Sequence, residues 1–291
     1  MFKKVISQVS IIFLYALSLL PMPILHVLGS FSYIIVYYVL GYRKKVVTLN
    51  LVNSFPDKKA EDIKKIEKRF YKYLTSLIFE IIKLSTISKE ELQRRFKFKN
   101  IELINSYLDN GKSVLVCSAH YGNWEWGTVA AGLSLKGVSY PIYKPLSNKV
   151  FDKWFNTIRS RFGNRMVSMR QTYRALTESK DEATVFYFGS DQAPPKLKSH
   201  YWVEFLHQPT SIPMGVEKIA VKTKRPVFYL KVKVIKKGYY EVDCLPLCLH
   251  PEESTGHEIT NLHARILEET IQNDPAYWLW SHKRWKHKPN Q

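Results

Sequence analysis

The chain has 291 residues, of which 45% are hydrophobic, so it can form one large domain with its own core, or one domain plus an appendage. Its formal charge of +19 predicts an anionic partner: nucleic acid, a membrane surface, or an acidic or phosphate-bearing molecule. The three cysteines, Cys117, Cys244 and Cys248, lie in apolar runs without zinc spacing, which favours buried reduced thiols and argues against disulfides or a metal site.

Two apolar runs open the chain, at residues 5–20 and 24–41, separated by Pro21 and Pro23. Basic residues flank the pair on both sides, and a second apolar run is not expected after a cleaved signal peptide. We therefore expect residues 1–42 to anchor the protein in a membrane, as one spanning helix or as a hairpin. A buried core hairpin in a soluble protein is the alternative.

From residue 43 the pattern becomes mixed, and helical and strand periods alternate. The predicted helices are 58–84, a segment reaching about 109, then 123–135, 149–162, 171–178, 214–222 and 258–273. The predicted strands are 113–118, 138–143, 166–168, 184–188, 203–205, 226–234 and 239–245. Alternation of this kind predicts an α/β domain over residues 43–291, with a mostly parallel central sheet flanked by helices.

His120 follows the predicted strand 113–118 directly, and Glu125 comes five positions later, where a helix should begin. A histidine accepts and returns a proton near neutral pH, and the bend between strand and helix can bring the carboxylate back beside it. The same spacing occurs in His263 and Glu268, but there it lies within one predicted helix, where the two side chains would point about 140° apart. We expect His120 and Glu125 to be catalytic and His263 to be an ordinary helix-surface residue.

Ligands of α/β sheets bind where parallel strands end. The loops after residues 118, 143 and 188 are therefore the expected walls of the site. These loops supply the polar side chains of Lys144, Asn148 and Asp191. Two arginines, Arg159 and Arg161, lie on or just beyond the predicted helix 149–162, between the second and third loops. A histidine, an acid and fixed cations suit attack by a hydroxyl on an acyl carbonyl, although the arginines fit a solvated basic face about as well.

Six blocks in order carry a specific resemblance. They are H-Y-G-N-W-E (120–125), Y-K-P-L-S-N (143–148), I-R-S-R-F-G (158–163), F-G-S-D-Q (188–192), W-V-E-F-L-H-Q-P-T (202–210) and W-L-W-S-H-K-R-W-K (278–286). Together with L-N-L-V-N-S-F-P-D (49–57) and Phe79-Glu80, they closely resemble the lipid A biosynthesis (late) acyltransferase family. The similarity covers nearly the whole chain.

The resemblance implies an acyltransferase fold behind an N-terminal membrane helix. It also implies transfer of a fatty acyl chain from acyl carrier protein, or from acyl coenzyme A, to a hydroxyl of a lipid A precursor. His120 would be the general base, Glu125 would orient it, Arg159 would stabilise the oxyanion and Asp191 would be the acid of the later site loop. We expect no acyl-enzyme, because no convincing Ser or Cys nucleophile motif is present, and we expect neither a cofactor nor a metal. The expected location is the bacterial inner membrane, with the catalytic domain facing the cytoplasm.

One position departs from the family pattern. Position 144 is Lys where the family commonly has Arg, so a bidentate contact becomes a point charge, which puts phosphate or sugar specificity in doubt. The same base and acid would also serve another acceptor, such as an aminolipid, a glycolipid or a lysophospholipid.

The aromatic and basic segment 278–286 predicts a membrane-interface anchor or a nucleic-acid patch. A membrane-tethered nucleic-acid-binding protein is the remote alternative, because no nucleic-acid fold motif accompanies the charge.

Overall fold

The computed structural model describes residues 2–194 and 200–289. Its α-helices are α1 (Phe2–Ser18), α2 (Met22–Ile34), α3 (Lys44–Ser54), α4 (Ala60–Lys83), α5 (Lys89–Arg95), α6 (Ile101–Asp109), α7 (Trp124–Ser134), α8 (Lys149–Arg159), α9 (Thr172–Glu178), α10 (Gly215–Thr223) and α11 (Glu258–Asn273). Its strands are β1 (Phe96–Lys99), β2 (Val114–Ser118), β3 (Val138–Tyr143), β4 (Val167–Ser168), β5 (Thr184–Gly189), β6 (His200–Phe205), β7 (Gln208–Pro213), β8 (Val227–Lys236) and β9 (Tyr239–Cys248). A π-helical turn, Ile35–Val39, continues α2.

Seven of the strands form one sheet in the order β1-β9-β8-β2-β5-β3-β4. All neighbouring pairs in it are parallel except the β8–β9 hairpin. The central strands β2 and β5 are almost fully buried, as expected for parallel strands covered on both faces. The predicted α/β fold with a mostly parallel sheet is thus confirmed, and the carboxyl ends of β2, β3 and β5 lie at one edge.

Most of the predicted helices and strands are present, with ends that shift by a few residues. Four elements were not predicted: α3, α5, β1 and β7. Helix α3 has little amphipathic character, and α5 and β1 are only seven and four residues long. Strand β7 pairs with β6 as a separate antiparallel hairpin that is joined by only two residues. The three thiols are free. Cys117 and Cys244 are buried, as predicted, whereas Cys248 is half-buried.

The N-terminal helices are joined to the rest of the fold along their lengths. Helix α2 runs antiparallel to α4, and Gly29 permits their close approach, because a Cβ there would lie 3.1 Å from the Cα of Ser76. One helical stretch among the described residues, Met22–Val39, is long and apolar enough to cross a membrane. Only 28% of this 18-residue stretch is buried against the rest of the described protein, so most of it is accessible at the surface.

The segment 278–286 is part of the core, and the predictions of a membrane-interface anchor or a nucleic-acid patch are wrong. Trp278, Trp280 and Arg284 are at most 4% exposed. Trp278 forms an antiparallel bridge with Tyr121, and the Leu279 amide donates to the His120 carbonyl (3.1 Å). The aromatic side chains of this segment therefore serve packing and not an external ligand.

His263 is also buried, at 4% exposure, so the prediction of a helix-surface residue is wrong. It lies on the inner face of α11, with its ring 5.5 Å from that of Tyr229. Burial lowers its pKa to about 4, because the apolar surroundings disfavour the imidazolium. Its partner by sequence spacing, Glu268, instead accepts a hydrogen bond from the Leu206 amide (2.6 Å).

We predict that His263 makes the protein less stable as the pH falls. Between pH 6.5 and about 4, the unfolded chain takes up a proton at His263 that the folded chain excludes, so the free energy of unfolding decreases. In His263→Leu this contribution is absent, and the melting temperature should fall less steeply over the same interval in thermal melts. The exposed His250→Leu is the matched control and should keep the wild-type slope. Equal slopes for wild type and His263→Leu would contradict the prediction.

Candidate active site

A cavity of about 370 Å³ opens at the edge where β2, β3 and β5 end. His120, Glu125, Lys144 and Arg159 line it, together with Gln192 of the loop after β5. The loops after these three strands, which the sequence predicts as the walls of the site, all contribute to the lining of this cavity. Residues 195–199, which follow the third loop, lie outside the described residues.

His120 is held by Asp191. The Asp191 Oδ1 atom lies 2.6 Å from the His120 Nδ1 atom, and Asp191 Oδ2 accepts the His120 backbone amide (3.0 Å). Trp278 also donates its indole hydrogen to Oδ2 (2.9 Å). A carboxylate only accepts, so Nδ1 carries the ring hydrogen and Nε2 keeps its lone pair.

The other ring nitrogen, Nε2, has its partner in the cavity lining. The side-chain amide nitrogen of Gln192 lies 3.1 Å from His120 Nε2 and can donate to it. Gly189 makes room for the ring, since a Cβ there would lie 3.2 Å from His120 Cε1. Nε2 thus keeps a lone pair at the cavity, where the Gln192 amide is its partner.

The same contacts shift both pKa values. Burial disfavours the imidazolium, but the Asp191 carboxylate outweighs this effect, so the pKa of His120 is raised above its ordinary value. Burial alone would raise the pKa of Asp191, yet the interactions with His120 and Trp278 hold it well below its usual range. Asp191 therefore stays ionised and stabilises the protonated form of the ring.

The sequence predicts that Glu125 orients His120, but the carboxylate of Glu125 forms its hydrogen bonds with Arg159. Its two oxygens accept from Arg159 Nε (2.7 Å) and Nη2 (2.5 Å). This bidentate pair is largely buried, with side chains 9% and 18% exposed. Burial would lower the pKa of Arg159, but Glu125 raises it, so a fixed cation lies on the cavity wall. Glu125 still favours the protonated ring of His120 through its charge.

The remaining predicted residues divide into two groups. Lys144 is exposed at the cavity rim, whereas Asn148 and Arg161 are outside the cavity lining. Asn148 caps α8 by accepting from the amides of residues 150 and 151, and it donates to Ser7 Oγ (2.8 Å). Arg161 donates to the carbonyls of Leu84 and Ile87, just beyond the C-terminus of α4, where a cation is favoured.

Sequence reasoning missed three residues that shape the site. Gln192 and Gly189 belong to the F-G-S-D-Q block, so their position beside Asp191 offered a signal. Trp278 offered none, because its contact with Asp191 joins residues 87 positions apart. Among the described residues, no group of three or more His, Cys, Asp or Glu side chains could hold a metal ion.

We predict that Asp191→Asn lowers the pKa of His120. The variant removes the negative charge that outweighs burial, so the imidazolium loses its main support. NMR titration of the labelled imidazole rings should show the His120 curve moving to lower pH. In Trp278→Phe the carboxylate is kept and the shift should be smaller. An unchanged His120 titration in Asp191→Asn would show that Asp191 does not set this pKa.

Comparison with known proteins adds a family and a set of relatives. A family model described as bacterial lipid A biosynthesis acyltransferase matches residues 1–287. A lipid A biosynthesis lauroyltransferase of Escherichia coli is 20% identical over 93% of this chain and 88% of its own length. A lipid A biosynthesis palmitoleoyltransferase of the same organism is 21% identical over 93% and 87%. A lipid A biosynthesis acyltransferase of Haemophilus influenzae is 23% identical over 79% and 72%.

Proposed function

Because the chain belongs to the bacterial lipid A biosynthesis acyltransferase family, we propose that it transfers a fatty acyl chain to a hydroxyl of a lipid A precursor in the His120 cavity. Membership in this family makes the chain an acyltransferase. The observation that carries the proposed mechanism is the His120–Asp191 pair, with the basic Nε2 atom directed at the cavity. The proposed donor is a thioester on acyl carrier protein, whose acidic surface suits a chain with a formal charge of +19.

In the proposed reaction, His120 Nε2 takes the proton of the acceptor hydroxyl as its oxygen attacks the thioester carbonyl. Asp191 holds the ring through Nδ1 and stabilises the imidazolium that forms. The carbonyl oxygen becomes an oxyanion, and the Arg159 guanidinium, fixed by Glu125, stabilises it. When the thiolate leaves, the imidazolium returns the proton to it, so that an ester and a free thiol result.

The inner wall of the cavity is suited to the acyl chain. Phe96, Phe188, Leu230, Val232 and Val242 line it. A hydrocarbon chain here would replace water against apolar side chains. The cationic side chains Lys144 and Arg159 contribute to other parts of the cavity lining and would contact the polar groups of donor and acceptor.

Direct transfer without an acyl-enzyme is supported by the state of the nearby nucleophiles. Cys117 is 1% exposed, and burial raises the pKa of its thiol to about 12, so it carries no thiolate at neutral pH. Ser118 lines the cavity, but its hydroxyl donates to the Leu230 carbonyl (3.4 Å) and not to His120. Neither side chain is activated by a base.

We predict that His120→Ala lowers the turnover number about 10²- to 10⁴-fold, the usual contribution of a general base. The test is transfer from acyl carrier protein to a lipid A precursor, with lipid products measured by mass spectrometry. His250→Ala, at an exposed ring, should keep wild-type turnover. Full activity of a folded His120→Ala protein would overturn the mechanism, and product formed only on another lipid, or only from acyl coenzyme A, would overturn the proposed acceptor or donor.

We also predict that Glu125 and Arg159 act as one unit. Glu125→Gln and Arg159→Ala should each reduce turnover, because the first releases the guanidinium from its fixed position and the second deletes it. The double variant should be no less active than the less active of the two single variants, since both changes remove the same positioned cation. The control Arg165→Ala breaks a half-exposed pair with Glu182 and should leave turnover within about twofold. Multiplicative losses in the double variant would show separate roles.

The proposed membrane contact is an exposed apolar face on α1, on α2 and on the π-helical turn that continues α2. At least 60% of each of these side chains is exposed: Val9, Ile12, Phe13, Val27, Phe31 and Val39. A soluble monomer rarely exposes so many large apolar side chains on adjacent helices, and insertion into lipid would remove them from water. This face supports an anchor at the inner membrane.

The contacts of α2 favour an orientation in the membrane plane over a spanning one. His26 near the start of α2 pairs with Glu80 (3.1 Å), and Tyr37, in the π-helical turn that continues α2, donates to Glu67 (2.7 Å). Helix α4 therefore follows α2 over its whole length. A spanning α2 would carry the charged side chains of α4 into the bilayer, at about 2.5–3.5 kcal/mol for each one near its centre.

We predict that neither end of α1 is accessible from outside the inner membrane. Single cysteines at Lys3→Cys and Pro21→Cys, in a Cys248→Ser background, should resist a membrane-impermeant maleimide in spheroplasts and react after permeabilisation. The buried Cys117 and Cys244 should stay unreactive in both conditions. Labelling of Pro21→Cys in sealed spheroplasts would indicate a hairpin or a spanning α2. Labelling of Lys3→Cys under the same conditions would indicate a spanning α1.

A further inference from the structure

A second cavity, of about 610 Å³, lies between α2, α4 and the β8–β9 turn. Its lining includes Ser30 and Tyr33 of α2, Lys72 and Tyr73 of α4, and Lys237 of the turn. No described residue lines both this cavity and the catalytic one. The two are thus separate, and the reaction proposed above leaves this one unused.

The side chains around it give the second cavity a positive charge. Lys237 Nζ donates to the His26 carbonyl (3.0 Å) and to Ser30 Oγ (3.2 Å), and Lys72 Nζ lies 5.6 Å from the Tyr33 ring centre. Neither ammonium group has an ion-pair partner among the described residues. The third cation of the lining, Arg69, is partly neutralised at the surface by a contact with an aspartate.

The single carboxylate of the lining, Glu80, is not available to these lysines. Its side chain is 1% exposed. It accepts hydrogen bonds from Asn123 (2.8 Å) and Tyr240 (2.6 Å), and its other oxygen lies 3.1 Å from His26 Nε2. Unpaired ammonium groups at a concave surface favour an anion, and phosphate oxygens are suitable acceptors for them.

The walls add a polar group and aromatic surface. Tyr73 lines the cavity, and its hydroxyl is buried without a hydrogen-bond partner. Its ring lies edge-on to that of Tyr277, with 5.0 Å between the centres. Aromatic walls of this kind suit the neutral glycerol or sugar part of a headgroup, and a ligand oxygen could satisfy the hydroxyl.

The mouth of the cavity lies beside the proposed membrane face. Ile34 lines the cavity and is itself 51% exposed, and the neighbouring Phe31 on α2 is 62% exposed. We propose that the second cavity binds the phosphate headgroup of an anionic phospholipid, between Lys72 and Lys237, with the acyl tails along Ile34 and Phe31. This inference rests on the membrane attachment proposed above.

An occupant would contact groups that hold the catalytic loop. Glu80, at the cavity wall, holds Asn123, which caps α7 by accepting from the Trp126 amide (3.0 Å). Tyr277, another wall residue, accepts the Gly122 amide through its carbonyl (3.1 Å). Both contacts lie within three residues of His120, so a bound headgroup would stabilise the segment that carries the base.

The test is lipid binding by the full-length chain in detergent, measured by native mass spectrometry without any acyl donor. Phosphatidylglycerol should bind about tenfold more tightly than phosphatidylcholine, and Lys72→Gln/Lys237→Gln should remove this preference. The control Lys112→Gln/Lys180→Gln makes the same charge change at exposed lysines elsewhere and should keep it. Thermal melts of both double variants verify that they are folded.

Three outcomes would overturn the inference. The first is equal affinity of the wild-type protein for the two lipids. The second is an equal loss of phosphatidylglycerol affinity in the two double variants, which would indicate diffuse surface charge. The third is complete displacement of phosphatidylglycerol by millimolar inorganic phosphate, which would indicate a free-phosphate site. Because the assay contains no donor, failure of the proposed acyl transfer would leave its result unaffected. Conversely, loss of headgroup binding would leave the His120 chemistry standing.

Discussion

The structure of the site depends on the ionised carboxylate of Asp191, which is buried with 2% of its side chain exposed. A charge removed from water in this way is costly unless donors surround it. Here the donors are the His120 ring, the His120 amide and the Trp278 indole, from two separate parts of the chain. The carboxylate therefore orients the base, favours its protonated form and ties the segment after α11 to the loop after β2.

A second carboxylate, Glu125, has a different partner and a different part in the proposed chemistry. Its bidentate contact with Arg159 neutralises an arginine that is largely buried and fixes the direction of its guanidinium. One acid thus supports the group that takes a proton, and the other supports the group that would meet the developing negative charge. Dividing the work in this way avoids two adjacent carboxylates competing for one histidine.

The sequence predicted the parts of this arrangement that depend on local pattern. Strand and helix periods located most elements, and the rule that ligands bind at the ends of parallel strands brought His120 and the Gly189–Gln192 loop to one edge. Pairing between side chains was less predictable. Glu125 lies five positions from His120 in sequence, yet its carboxylate accepts from Arg159. Asp191 lies 71 positions from His120, and it is this carboxylate that forms the hydrogen bond with the ring.

The errors in the segment 278–286 and at His263 have a common cause. Tryptophan, arginine and histidine are all amphipathic, so composition alone does not distinguish a surface that binds ligand from a core that satisfies polar groups internally. In both cases the environment of the side chain is set by tertiary packing. The Trp278 indole donates to the Asp191 carboxylate, and His263 is buried in apolar surroundings in which it remains neutral.

The pairing of Tyr121 with Trp278 also joins the site to a segment that the ribosome makes late. Helices α1 and α2 are made before Trp278, and so is His120, the other residue that donates to the Asp191 carboxylate in the described part of the chain. With the membrane attachment proposed above, a nascent chain can reach the lipid surface while the carboxylate still lacks its Trp278 donor. The proposed base would then be fully held in place only after the chain has met the membrane.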